Sequence, residues 1–118
     1  MSAFSLPKGE RLLNRNDFVN LNREGGKYHT SHFAIYYRKN RLGVSRLGIT
    51  ASKKTGNAVT RNRIKRLVRE FYRLHKAYLP PSRDILISAK KGAGDLDFWK
   101  VREELLDSFT DKKFGALC

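Results

Sequence analysis

The sequence predicts an α+β fold, a small two-layer α/β sandwich with helices packed on a sheet in the order α-β-β-α-β-α. Three observations lead there. Apolar residues recur three and four apart through Ile64, Leu67, Val68, Phe71, Leu74 and Tyr78, the period of a helix with one buried stripe. Phe33, Ile35 and Tyr37 alternate with His32, Ala34 and Tyr36, and Leu47, Ile49 and Ala51 alternate with Gly48, Thr50 and Ser52, the period of strands. After Pro80-Pro81, the run Arg83-Asp84-Ile85-Leu86-Ile87-Ser88-Ala89 is apolar on both faces at its centre and reads as an interior strand. At 118 residues the chain is expected to form one domain with a modest core and no metal or disulfide staple.

Residues 1–10 read as an irregular lead-in, because Pro7 and Gly9 oppose regular structure, and Leu12 and Leu13 are placed to tuck under the domain. Asn14 to Glu24 is expected to be a short helix: Asn14 or Asn16 caps it, Asp17 suits its first turn, and Gly25-Gly26 ends it. Its apolar residues Phe18, Val19 and Leu21 do not share one narrow stripe. Lys27 to Arg38 reads as one strand with Phe33, Ile35 and Tyr37 inward and Tyr36 facing the other way. A turn at Lys39 to Gly43 then predicts a hairpin with the strand Leu47 to Ser52. The face opposite the core, with Tyr36 beside the small residues Gly48, Thr50 and Ser52, leaves room for a flat ligand. Lys53 to Thr60 leads into the long helix, which Pro80-Pro81 closes. Lys90 to Gly94 is a basic turn. Asp95 or Asp97 caps a last helix to about Asp111, with Phe98, Val101, Leu105 and Phe109 inward.

Charge is distributed unevenly along these elements. Lys and Arg number 25 against 11 acids, a net charge of +14. Residues 53–76 hold nine bases and one acid, so +8 of that total sits in one fifth of the chain. On the long helix, Asn62, Arg66, Arg69 and Arg73 form one polar stripe, which Arg61 and Lys65 overlap. Like charges at helical spacing repel by roughly 0.2–0.5 kcal/mol per pair, and Glu70 alone cannot offset them. Mixed signs would serve solubility as well. Four of the cations between 61 and 69 are arginines, whose planar fork matches phosphate and stacks on bases. The expected partner is a polyanion, nucleic acid before a membrane surface.

No catalytic or metal site is expected in the chain itself. Metal-dependent nucleases gather several carboxylates on one or two ions, whereas the acids here are scattered. Asp95 and Asp97 open a helix and read as capping residues. His29 and His32, three apart on the expected strand, face opposite sides, and His75 suits a helix C-terminus. Lys54-Thr55-Gly56 lacks the spacing of a phosphate loop. Cys118 is the single cysteine, so no internal disulfide forms and no oxidising compartment is implied. The N-terminal residues lack a signal-like apolar run, and no 18-residue apolar segment occurs. The expectation is a soluble cytoplasmic protein. These features leave open a structural RNA-binding protein, such as a ribosomal component, and a self-sufficient nuclease.

The segment Lys53-Lys54-x-Gly56-x-Ala58-Val59-x-Arg61-Asn62-Arg63-Ile64-Lys65-Arg66-Leu67-x-Arg69-Glu70 resembles the signature of the bacterial ribonuclease P protein subunit. Arg11-Leu12 before Asp17-Phe18, Phe33-x-x-Tyr36, Arg46-Leu47-Gly48-Ile49 and Ile85-Leu86-Ile87-x-Ala89-Lys90 resemble the same family, so the likeness covers nearly the whole chain. It implies a partner, the catalytic RNA of ribonuclease P, and a substrate, precursor tRNA, whose 5′ leader is removed by hydrolysis of one phosphodiester bond. It also implies that the RNA, with Mg2+, carries out the chemistry. By the same resemblance, Arg61, Asn62, Arg63, Lys65, Arg66 and Arg69, flanked by Lys53 and Lys54, contact the catalytic RNA. The single-stranded leader would lie in a cleft matching Phe18, Ala34, Tyr36 and Lys65. One further cleft position, usually aromatic in the family, falls on Asn22. Phe18 serves equally well as a core residue, and for Tyr36 the cleft is favoured because Phe33, Ile35 and Tyr37 fill the opposite face. The family also implies a left-handed β-α-β crossover around the basic helix, against the usual hand.

Overall fold

The computed structural model describes Arg11 and residues 26–40, 42–75 and 82–110. Within them lie β1 (Gly26–His29), β2 (Phe33–Lys39), β3 (Arg46–Ala51), α1 (Ala58–His75), β4 (Arg83–Ala89), a 3-10 turn (Ala93–Asp95) and α2 (Phe98–Thr110). The described order is therefore β-β-β-α-β-α rather than α-β-β-α-β-α. The expected helix Asn14–Glu24, with Phe18 and Asn22, lies outside the described residues, as does Tyr78.

The four strands form one mixed sheet in the order β1-β2-β4-β3. β4 pairs antiparallel with β2 and parallel with β3, which confirms it as interior. Two expectations are corrected here. The segment 27–38 is not one strand: Thr30 Oγ1 accepts the Phe33 N–H at 3.0 Å, and the Thr30 N–H donates to the Phe33 carbonyl at 2.8 Å. A hydroxyl in competition with the ladder turns the chain there, and β1 folds back on β2. Nor do β2 and β3 form a hairpin, because β4 lies between them. The Asn40 side chain donates to Asp84 of β4 at 2.9 Å and to the Val44 carbonyl at 3.0 Å, so the β2–β3 connection is tied to the strand that separates its two ends.

Alternation decides which side of the sheet is covered. Phe33, Ile35 and Tyr37 of β2, Leu47 of β3 and Ile85 and Ile87 of β4 are buried in one cluster with Ile64, Val68, Phe71 and Tyr72 of α1 and Val101 and Leu105 of α2. Both helices thus pack on one sheet face and on each other. Leu74, expected inward, is 48% exposed, and Tyr72 is buried at 1%. Positions 64, 68, 71 and 72 make the narrower stripe, with Leu67 half-buried at its margin.

The ends of the helices follow local chemistry. Asn57 caps α1, its Oδ1 accepting the Thr60 N–H at 2.9 Å. At the other end His75 stacks on Phe71 with ring centroids 4.6 Å apart. Asp97, not Asp95, caps α2 by accepting the Lys100 N–H at 2.9 Å.

Candidate nucleic-acid interface

Burying Ile64, Val68, Phe71 and Tyr72 on one side of α1 obliges Asn62, Arg66 and Arg69 to face outward, and all three are exposed. Arg63 is exposed on one flank, where its Nη1 donates to the Gly94 carbonyl at 3.1 Å. Arg61 and Lys65 lie on the other flank, in line with Tyr72, and are half-buried; the Nε–H of Arg61 is enclosed. Lys53 and Lys54 are exposed in the turn before α1. That turn is fixed by the buried Thr55, whose hydroxyl donates to the Ala89 carbonyl at 3.3 Å. Among the described residues no acid forms an ion pair with Arg61, Arg63, Lys65, Arg66, Arg69 or Arg73. Several of the described acids are engaged elsewhere. Glu104 of α2 accepts from the Thr30 hydroxyl at 3.0 Å and lies 2.9 Å from His32 Nδ1, tying α2 to the β1–β2 turn. His32 is therefore a structural partner of Glu104, and His29 is exposed at the end of β1.

The sheet face away from the helices is ordered by register. His29, Ala34, Ser88 and Thr50 form one row across it, and Lys27, Tyr36, Leu86 and Gly48 the next. Ala34 and Leu86 are 6% and 3% exposed, whereas Tyr36, Ser88 and Thr50 are half-buried and so form the accessible part. Lys27 places its Nζ 5.5 Å from the Tyr36 ring centroid, a cation over an aromatic face. Ala34 and Tyr36 thus share a surface, but Lys65 stands on α1, on the other side of the sheet. A ligand touching all three has to pass the β3 edge, which α1 packs against and which Arg11 meets at Leu47.

The third row, Arg38, Asp84 and Arg46, is a cluster that the charge pattern of the sequence did not single out. Asp84 is fully buried and accepts from Arg46 Nε at 2.8 Å, Arg46 Nη2 at 2.7 Å, Asn40 Nδ2 at 2.9 Å and Arg38 Nε at 3.2 Å. Burial pushes its pKa up; the Arg46 fork, the Asn40 amide and the Arg38 hydrogen bond outweigh that and hold the carboxyl below its ordinary value. The available signal was a lone acid inside an apolar strand, since a buried carboxylate requires partners. Among the described residues, no group of three or more His, Cys, Asp or Glu side chains could hold a metal ion, and no helix is long and apolar enough to cross a membrane.

A family model described as Ribonuclease P matches residues 6–113. The chain belongs to the ribonuclease P protein family. A ribonuclease P protein component from Citrifermentans bemidjiense is 48% identical over 109 residues, covering 92% of this chain and 93% of that protein. One from Dictyoglomus thermophilum is 44% identical over 119 residues, covering 99% and 98%. The solved ribonuclease P protein of Staphylococcus aureus superposes with a TM-score of 0.80 at 32% identity, covering 93% of this chain and 98% of that one. That of Thermotoga maritima gives 0.78 at 39%, covering 85% and 94%. The mixed four-stranded sheet with two helices is thus the ribonuclease P protein fold. As the protein component of ribonuclease P, a ribonucleoprotein endoribonuclease of tRNA processing, the chain is RNA-binding and pairs with ribonuclease P RNA.

Proposed function

We propose that α1 is the surface that docks on the catalytic RNA, through Arg61, Asn62, Arg63, Lys65, Arg66 and Arg69 with Lys53 and Lys54 at its approach. The observation that carries this reading is the row of exposed guanidiniums with no described acid paired to them. A cationic face of this kind gains most from displacing counterions on a polyanion. Neutralising about six phosphates corresponds to a log–log salt slope of about −4 to −5. The half-buried flank residues Arg61 and Lys65 contribute at the margin, and Asn62, Arg66 and Arg69 at the centre.

The second surface binds the single-stranded 5′ leader of precursor tRNA. Leaders vary in sequence, so recognition rests on phosphate contacts and on stacking, worth about 1–3 kcal/mol per base. Tyr36 offers a ring with Lys27 beside it, and Ala34 shares that sheet face; Phe18 and Lys65 are the further leader-binding positions that the family resemblance implies. The protein assists removal of the leader by holding two polyanions together, while the RNA subunit conducts the reaction with Mg2+. Among the described residues no three His, Cys, Asp or Glu side chains group to hold an ion, and Asp84 is engaged by Arg38, Asn40 and Arg46, Glu104 by Thr30 and His32, and Asp97 by the α2 cap. In this reading residues 1–118 act as one RNA-binding domain in the cytoplasm, and the crossover from β3 through α1 to β4 is left-handed.

The test is a magnesium titration of precursor tRNA cleavage by ribonuclease P RNA with and without the purified protein. The expected result is a lower magnesium requirement with the protein present, and no cleavage by the protein alone. An unchanged requirement would favour a structural RNA-binding role, and RNA-free cleavage that survives nuclease treatment and repurification would overturn the division of labour.

A further inference from the structure

The outward face of α1 carries one residue that polyanion attraction does not explain. Val59 is 77% exposed, more than Trp99 at 70% or Leu42 at 56%. It does not border the core. Its neighbours three and four positions on are Asn62 and Arg63, both exposed, with exposed Arg66 a turn further, so the valine stands beside the cationic side chains at the start of α1. A β-branched residue loses side-chain freedom in a helix and is a poorer helix former than alanine. Helix stability therefore gives no reason for valine here, and solubility argues against it. The surface around it is also held in place: Asn57 caps the turn on which it sits, and Arg63 is anchored on the Gly94 carbonyl.

We infer that Val59 makes an apolar contact with the ribonuclease P RNA, against an unpaired base or a ribose face, beside the phosphate contacts. This deepens the docking surface proposed for α1 and rests on it. Phosphate contacts position a protein without reading which RNA is bound. Folded RNA is distinguished by its unstacked bases and sugar faces, which take apolar or stacking contacts. One rigid valine among guanidiniums supplies such a contact where generic polyanion attraction cannot.

The experiment is the affinity of Val59→Ala, Val59→Thr and Arg66→Ala for ribonuclease P RNA across a salt series, with an unrelated structured RNA of equal length in parallel. Truncating two methyl groups should weaken ribonuclease P RNA binding about five- to tenfold. The salt slope should stay unchanged, because no cation is lost. The unrelated RNA should bind as before, and the circular dichroism melt should be unchanged or slightly higher. Threonine, of the same shape but with a hydroxyl, should fall between valine and alanine. Full affinity in Val59→Ala alongside weakened Arg66→Ala would overturn this inference while leaving the docking surface intact. Unchanged binding in both would remove the docking surface as well. Equal loss on both RNAs would show that the valine reads nothing specific and would also defeat the inference.

Discussion

Replacing Asp84 by asparagine separates what holds the sheet together from what binds RNA. The carboxylate is fully buried and receives four hydrogen bonds, two from Arg46 at 2.8 and 2.7 Å, one from Asn40 at 2.9 Å and one from Arg38 at 3.2 Å. It joins β2, β3 and β4 through one side chain. Whichever way an asparagine amide turns, its NH2 group meets N–H donors where an oxygen had accepted. Removing one member of a buried ion pair costs about 3–5 kcal/mol, against a total stability of about 5–15 kcal/mol for a domain. For a chain of this size the melting temperature should fall by about 10–20 °C. The pH dependence gives a second reading. Asp84 has a folded-state pKa below its unfolded value, so its stabilisation is present above the ordinary carboxylate range and is lost as pH falls toward the folded value. Urea unfolding of wild type and Asp84→Asn should differ most near pH 7, and the gap should begin to narrow below about pH 4. A difference under about 1 kcal/mol at pH 7, or a gap that does not narrow in acid, would refute the assignment of Asp84 as the ionised link between the strands.

Further substitutions address the surfaces and the contact between α1 and the 3-10 turn. Arg66→Ala and Arg69→Ala should each weaken ribonuclease P RNA binding and reduce the magnitude of the salt slope by about 0.7–0.9; thermal unfolding of either variant should match wild type, and a large drop would mean that the outward face is misassigned. Tyr36→Ala should reduce affinity for leader-bearing precursor by about 1–3 kcal/mol while sparing mature tRNA; equal loss on both substrates would exclude leader stacking. Gly94→Ala should destabilise the protein by about 1–3 kcal/mol, a cost of overpacking, because a Cβ there would overlap Thr60 Cγ2 and lie 3.1 Å from the Thr55 carbonyl oxygen. Adding Thr60→Ser, which deletes that methyl, should recover part of the loss in chemical denaturation; no recovery would place the strain elsewhere.

Faces were legible in the sequence where pairing partners were not. Alternation through Phe33, Ile35 and Tyr37 and through Leu47, Ile49 and Ala51 assigns an inward side correctly whichever strand lies next door. Alternation says nothing of sheet order, and the expected hairpin of β2 with β3 gave way to β4 between them. The clue was Asp84. An ionised group in an otherwise apolar strand requires cations, and Arg38 and Arg46 could supply them only from the strands on either side. The outer face of α1 was legible for a similar reason, since Ile64, Val68 and Phe71 leave Asn62, Arg66 and Arg69 no other direction. Its flanks were not, because Leu74 turned outward and Arg61 and Lys65, in line with the buried Tyr72, are half-buried. The break at Thr30 depends on a hydroxyl competing with the ladder, a contest that residue type alone does not decide.

The placement of the acids links the fold to the proposed role of α1. A chain with this excess of bases could mute the repulsion along α1 by setting carboxylates opposite Arg66 and Arg69, each exposed pair worth up to about 1 kcal/mol. Three of its described acids act elsewhere: Asp84 inside the sheet, Glu104 on the β1–β2 turn and Asp97 on the α2 cap. Each stabilises the layers that set the direction of α1, and none screens its outer face. Packing among Ile64, Val68, Phe71 and Tyr72 then carries the helix against its own charge. Pairing those arginines internally would add a little stability to the free protein. It would also weaken association, because every internal pair has to be broken before a phosphate can take its place. Introducing an acid within reach of Arg66, as in Asn62→Glu four residues earlier, should therefore leave stability unchanged or raise it by a few tenths of a kcal/mol. It should at the same time lower ribonuclease P RNA affinity by about as much as removing a cation. Affinity that stays at the wild-type level in Asn62→Glu would show that the outer face of α1 does not meet the RNA.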